Sequence, residues 1–148
     1  MAGPSLMDPE NPVVKFCAEG MVSETKEAYG SAKDSFEKAW KIAKDDYEKA
    51  IAAHYVARHA ETDAEVLRWN LLAFEHASLA PQERVKGFYP SLYLNLGHSY
   101  EVLGDPASAK NYYGKAVASL NVLSEDAYGE IVRDALKRGL ERVASDTQ

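Results

Sequence analysis

The chain of 148 residues contains a single cysteine, Cys17. A disulfide framework within the chain is therefore impossible, and a zinc site built from several cysteines is not expected. Only 9 glycines and 6 prolines are present and the apolar content is ordinary, which argues against a wholly disordered chain. No run of about 18 apolar residues occurs, so the sequence predicts no membrane-spanning helix. These absences favour one ordinary domain with a hydrophobic core.

The N-terminal segment also lacks a targeting signal. Its first residues, MAGPSLMDPENP, contain no apolar core of a secretory signal peptide. Together with the lone cysteine, this favours a soluble protein of a reducing compartment, and we expect it in the cytoplasm. Residues 1–11 are predicted to be a disordered or tag-like segment. Because Met7 begins a second plausible start, residues 1–6 are interpreted as a vector remnant or a wrongly assigned start.

Basic charge is in short supply, since the formal net charge is −6. A protein that binds nucleic acid usually presents a basic face to the phosphates, so no nucleic-acid partner is expected. The acidity by itself identifies no other partner.

Helix signals are dense and strand signals nearly absent. Four capping sites are predicted, at Asn11-Pro12, Asp45, Thr62 and Asp105-Pro106. A break is expected at Tyr29-Gly30, and a kink or a fresh helix start at Pro90. About seven helices result, the last spanning Ser124 to Val143. Its predicted apolar stripe is Tyr128, Ile131, Val132, Ala135, Leu136, Leu140 and Val143.

The stretch PSLYLNLGHSYEVLGDPASAKNYYGKA, residues 90–116, carries the most specific pattern. Small residues, Gly97 and Ala109, would let two antiparallel helices approach closely, and bulky residues such as Tyr113 would fill the space around that contact. The pattern resembles a tetratricopeptide repeat, a helix-turn-helix unit of about 34 residues. The positions that carry the resemblance are Tyr93, Leu96, Gly97, Tyr100, Ala109, Tyr113 and Ala116.

A second copy begins at Val13, with Gly20, Ala32 and Phe36 at matching positions. A middle copy near Tyr47 is degenerate, and we expect its helix pair to be present with an irregular loop. The middle segment, AAHYVARH followed by LRWNLL, is also similar to small stand-alone bacterial repeat proteins of unassigned function. The resemblance therefore covers a single domain, residues 12–144. Its repeats are predicted at about 13–45, 46–80 and 90–123, with a capping helix at about 124–143.

The resemblance implies an all-α fold, a right-handed superhelical array of antiparallel helix pairs closed by a C-terminal capping helix. It implies a concave groove lined by the first helix of each pair, which would receive a peptide or helix that inserts apolar side chains and offers a basic group. The carboxylate clamp of one family subtype is absent. The predicted groove residues are Cys17, Met21, Glu24, Ile51, Tyr55, Arg58, His59, Leu94, His98 and Glu101.

The resemblance favours a non-catalytic module for protein–protein interaction or scaffolding, with no enzyme activity and no cofactor. One alternative is a self-assembling homodimer; another is a small-molecule or metal site that uses His54, His59 or His98. We expect these histidines to make ordinary hydrogen bonds, because no metal-ligand spacing accompanies them. The sequence does not decide whether the groove is free or is filled by the last helix or by a second subunit.

Two further expectations concern single side chains. Trp40 and Trp69 lie on apolar helical stripes and are predicted to be core residues. The basic residues of the last helix, Arg142 among them, are predicted to form a solvated outer face.

Overall fold

The structure, a computed structural model, describes residues 8–123 and 125–146, and within these ranges it contains helices and no strand. Seven helices have eleven or more residues, and the short α5 is a single turn. Three 3-10 turns, Ala57–His59, Lys86–Phe88 and Leu120–Val122, lie between them. The helices are α1 (Pro12–Thr25), α2 (Tyr29–Ile42), α3 (Asp46–Val56), α4 (Asp63–Leu79), α5 (Gln82–Val85), α6 (Tyr89–Val102), α7 (Pro106–Ala118) and α8 (Ala127–Asp146).

The four predicted caps are confirmed. The side chain of Asn11 accepts hydrogen bonds from the first turn of α1, 2.8 Å from the Val13 amide. Asp45, Thr62 and Asp105 likewise accept an amide three residues further on, as N-cap side chains do. Gly104 ends α6 with φ +84°, the left-handed conformation that favours glycine.

Some helix boundaries differ from the prediction. The break expected at Tyr29-Gly30 lies at Lys26–Ala28, where Glu27 has φ 58°, and Tyr29 already begins α2. Pro90 lies in the first turn of α6, so it marks a fresh helix start rather than a kink. The predicted start of the last helix at Ser124 lies outside the described residues, and α8 begins at Ala127. Of the N-terminal segment, residues 1–7 also lie outside them.

The long helices form three antiparallel pairs, α1–α2, α3–α4 and α6–α7, and α8 packs on α6 and α7. In the first pair the ring of Phe36 lies against Gly20, and in the third the ring of Tyr113 lies against Gly97. A Cβ atom at either glycine would overlap the ring. The close approach predicted from the repeat pattern is therefore present in both pairs, and the fold is an all-α array of the expected kind.

The middle pair departs from the repeat spacing. Its loop contains the 3-10 turn Ala57–His59, and α4 buries Asn70, Ala73 and Ala77. Glu65, near the start of α4, is exposed, so the buried face of this helix begins further along the chain, at Asn70.

The segment between α4 and α6, residues 80–88, forms a cover over α3. Val85 of α5 is fully buried in the same core cluster as Tyr47, the first buried residue of α3. The guanidinium of Arg84 lies 3.7 Å from the centre of the Tyr47 ring, a close cation–π contact. Helix α3 is consequently surrounded by protein, with seven of its eleven residues buried.

The apolar stripe of α8 is confirmed at Val132, Leu136 and Val143, which are buried against α7. Ile131, predicted to belong to it, is 66% exposed. No helix within residues 8–123 and 125–146 combines the length and the apolar character that a membrane crossing requires.

Candidate functional site

Three of the predicted groove residues come together at the ends of α1 and α3. Arg58 donates two hydrogen bonds to the Glu24 carboxylate, at 3.0 Å from Nε and 2.9 Å from Nη2. The ring of His59 lies 2.7 Å from the same carboxylate. The side chain of Glu24 is only 15% exposed, whereas Arg58 keeps 47% of its side chain in solvent. This cluster neutralises Glu24 within the chain.

Three other predicted groove residues are not at the surface. Cys17, Ile51 and Tyr55 are 0%, 3% and 1% exposed, so the prediction that they line an open groove is wrong. Ile51 and Tyr55 face a cavity of about 20 Å³ that they share with Phe88 and Tyr128. The cover before α6 and the first turn of α8 therefore occupy this part of the concave face.

The first turn of α8 is held there by a hydrogen bond between the hydroxyls of Tyr128 and Ser91. The capping helix thus fills part of the groove, which is one of the three possibilities that the sequence left open. The Tyr55 hydroxyl behind it is buried and has no hydrogen-bond partner among the described residues.

Glu101 is also engaged by the capping helix. Arg142 of α8 donates to its carboxylate, with Nε 2.6 Å from Oε2, and the Tyr113 hydroxyl donates to Oε1 at 2.7 Å. The hydrogen bond from Arg142 lowers the pKa of Glu101. Arg142 therefore joins α8 to α6 and does not belong to a purely solvated face. Glu24 and Glu101 are both paired within the chain. Neither carboxylate is therefore free to attract the basic group that we expected a partner to offer.

The remaining three predicted groove residues differ in exposure. Met21 is partly buried and packs against the first core cluster. Leu94 is partly buried against the second cluster, on the side of α8. His98 is exposed, and Val102, one turn further along α6, is 48% exposed.

A small polar pocket remains open between the C-terminal half of α3 and helices α4 and α6. It has a volume of about 120 Å³, and we call it the polar pocket. Asn95 lies 3.2 Å from Nδ1 of His54, and Asn70 donates to the Ser99 hydroxyl at 2.9 Å. Its polar lining residues are His54, Arg58, Asn70, Asn95, His98 and Ser99.

His54 forms the inner wall of the polar pocket. Burial, together with the nearby charge of Arg58, lowers its pKa to about 4. At neutral pH the imidazole is therefore uncharged and offers one donor and one acceptor.

Metal or nucleophilic chemistry finds little support in the geometry. Within residues 8–123 and 125–146, no group of three or more His, Cys, Asp or Glu side chains is placed to hold a metal ion. His59 contacts Glu24, and His76 lies 2.8 Å from Asp46. Burial raises the pKa of the Cys17 thiol to about 12, so it is a poor nucleophile at neutral pH.

A cavity larger than the polar pocket was not predicted from the sequence. It has a volume of about 400 Å³ and lies between α2 and α4, and we call it the tryptophan cleft. Trp40 and Trp69, predicted to be core residues, are only partly buried and both line it. The two apolar stripes that contain them were visible in the sequence, but the contact between the Trp40 and Trp69 rings joins two different repeats.

Comparison with known proteins supports the repeat assignment. Residues 90–119 match the model of the tetratricopeptide repeat family, and this segment coincides with α6 and α7. The match identifies this segment as a repeat of that family. Repeats of this architecture generally mediate protein–protein interactions. No curated protein and no solved structure matches the chain.

Proposed function

We propose that this protein is a non-catalytic binding module that receives a segment of a partner protein on the open half of its concave face. The observation that carries the proposal is the placement of Arg58 and His98. They extend from α3 and α6 to the rim of the polar pocket, and both are exposed. Repeat arrays of this architecture commonly bind partners through the surface formed by the first helices of their pairs.

The chemistry of the pocket indicates what the partner segment offers. Arg58, Asn95 and His98 all carry N–H groups, and a guanidinium always donates. Carbonyl or carboxylate oxygens of the partner would accept hydrogen bonds from them. The exposed Val102 beside His98 provides apolar contact. We therefore expect an extended peptide with an acidic or carbonyl-rich stretch next to an apolar residue.

The rigid setting of the pocket favours such binding. Asn70 and Ser99 hold each other by a buried hydrogen bond, and His54 is positioned by Asn95. A surface whose side chains are already ordered loses little conformational entropy when it binds a partner.

Peptide selection tests the proposal directly. A random peptide library is selected on the immobilised protein, and the enriched peptides are titrated against wild type and two variants, His98→Ala and Arg58→Gln. Binding should weaken at least tenfold in each variant, the effect of losing about 1.4 kcal/mol of interaction. The variant Arg138→Gln is the matched control, because Arg138 is an exposed arginine of α8 that also pairs with a carboxylate.

Thermal unfolding of each variant shows that the fold is retained. Equal affinity of the selected peptides for wild type, His98→Ala and Arg58→Gln would contradict the proposal, as would failure to enrich any peptide. Tyr55 is not a suitable position for a further variant, because its side chain is buried and its loss would leave a cavity.

A further inference from the structure

The tryptophan cleft is built mainly from the second helices of the first two pairs, α2 and α4, and from the loop that follows α3. Helices α2 and α4 each pack on α3, and the cleft opens between them. Its floor is aromatic: the Trp40 and Trp69 rings meet edge to face at 5.1 Å, and the His59 ring stacks on Phe36 at 5.7 Å. Large aromatic side chains left partly exposed in a concave space are typical of binding sites rather than of cores.

The rim of the cleft is charged, with an acidic end and a basic end. Near the start of both helices, the Lys33 ammonium lies 3.2 Å from Glu61 and also interacts electrostatically with Glu37 and Glu65. This end therefore has three carboxylates around one ammonium group.

The other end of the cleft is basic. Lys41 follows Trp40, and Arg68 precedes Trp69, with its guanidinium 5.1 Å from that ring centre. The carboxylates of the acidic end surround Lys33, and eight residues separate Lys33 from Lys41, which is about 12 Å along the axis of α2. This is about the distance between residues two places on either side of a central residue in an extended peptide.

We propose that the tryptophan cleft is a second binding site, which takes one bulky apolar side chain of a partner peptide between a basic and an acidic residue of that peptide. The apolar side chain would rest on Trp40 and Trp69, the basic residue would face Glu37 and Glu65, and the acidic residue would face Lys41 and Arg68. The volume of about 400 Å³ lies within the range of sites that enclose ligands. A central aromatic or aliphatic anchor with a charged rim is also the usual anatomy of an interaction hot spot.

The chain carries its own reporter for this site. Trp40 and Trp69 are the 2 tryptophans of the sequence, so all of its tryptophan fluorescence arises in the cleft. A ligand that covers the rings should shift the emission to shorter wavelength and protect it from quenching by acrylamide.

Capped pentapeptides are the probes. Each has phenylalanine in the centre, glycine on either side, and lysine and glutamate at the two ends, in both orders. We expect at least one order to protect the tryptophans, and replacement of the central phenylalanine by alanine to weaken binding at least tenfold. Versions with lysine at both ends or glutamate at both ends should bind at least threefold more weakly than the mixed peptide. If the alanine and phenylalanine peptides behave alike, the proposal is wrong.

N-acetylphenylalaninamide separates a peptide site from a site for small aromatic molecules. Equal affinity of this compound and the mixed peptide would overturn the proposal in favour of a small-molecule site. The exposed residue Glu65 provides the variant: Glu65→Gln should weaken the mixed peptide at least threefold, whereas Glu75→Gln, on the same helix and outside the cleft, should not. An unchanged affinity in Glu65→Gln would contradict the predicted charge pairing. Because His98→Ala removes no residue of the cleft, it should leave this binding unaffected and so separates the two proposed sites.

Discussion

The ring of Tyr113 lies directly on the backbone of Gly97. A Cβ atom at position 97 would come within 2.5 Å of Cδ1 of Tyr113 and 2.6 Å of its Cε1. The ring is confined from the other side by Gly139 of α8, where a Cβ atom would lie 2.7 Å from Cζ. Its hydroxyl donates to Glu101. Two glycines from different helices therefore enclose one tyrosine, which joins the third helix pair to the capping helix.

Replacing Gly97 by alanine should destabilise the protein strongly. The ring cannot retreat, because Gly139 blocks its other face, so the new methyl group forces the helices apart. We expect a loss of about 2–3 kcal/mol in the free energy of unfolding, at the upper end of overpacking effects. Urea unfolding followed by circular dichroism measures it.

Gly114→Ala is the matched control on α7. No atom lies within 4 Å of a Cβ built at Gly114, so the substitution meets open space. It should raise the unfolding free energy by up to about 1 kcal/mol through helix propensity. A Gly97→Ala protein as stable as wild type would contradict the close packing described for this pair.

The ion pair between Glu101 and Arg142 should contribute measurably to the docking of α8. Glu101 is 15% exposed and also accepts from Tyr113, whereas Arg142 is 49% exposed, so solvent screens part of the attraction. A double-mutant cycle with Glu101→Gln and Arg142→Gln should give a coupling of about 1 kcal/mol.

The pair Arg138–Asp134 serves as comparison for that cycle. Both partners are exposed and four residues apart on α8. Their coupling should be no more than about 0.5 kcal/mol. Equal coupling free energies in the two cycles would show that the partial burial of Glu101 does not strengthen its ion pair with Arg142.

Acid should destabilise the protein through His54. Its pKa is about 4 in the folded chain, because the ring is buried and Arg58 lies nearby, and about 6.5 when unfolded. Below about pH 6.5 the unfolded state takes up a proton that the folded state does not. The free energy of unfolding therefore decreases as the pH is lowered to about 4. The loss is up to about 3 kcal/mol. Unfolding free energies measured across this window give the profile.

The variant His54→Gln isolates this contribution, since glutamine keeps an acceptor for Asn95 and does not titrate. Its unfolding free energy should vary less between about pH 6.5 and pH 4.5 than that of wild type. Carboxylates with a lowered pKa, such as Glu101, lose their contribution at lower pH. Identical slopes for the two proteins in this window would exclude His54 as the cause.

Cys17 should be unreactive in the folded protein. It is fully buried, and its pKa of about 12 leaves very little thiolate at about pH 8. We expect Ellman's reagent to label it at least a hundredfold more slowly in buffer than in concentrated guanidinium chloride. Rapid labelling of the native protein would show that α1 opens readily, and would restore Cys17 as an accessible residue.

The candidate site was only partly predictable. Glu24, Arg58 and His98 follow from the repeat frame and lie near the open part of the groove. Cys17, Ile51 and Tyr55 were misplaced because the frame describes a repeat in isolation. Ile51 and Tyr55 are covered by Phe88, in the segment between α4 and α6, and by Tyr128 of α8, and both of these lie outside the predicted repeats.

The amino-acid sequence by itself determined the helices and their pairing. Some signals act within a few residues or across one helix pair, so they can be predicted from the spacing of residues; examples are the cap Asp105, the helix stop at Gly104 and the small residue Gly97. Only the tertiary structure decided which surfaces stay open. The covering of α3 and the contact between Trp40 and Trp69 depend on segments far apart in the chain. Such contacts arise from how whole helices pack, which local periodicity does not specify.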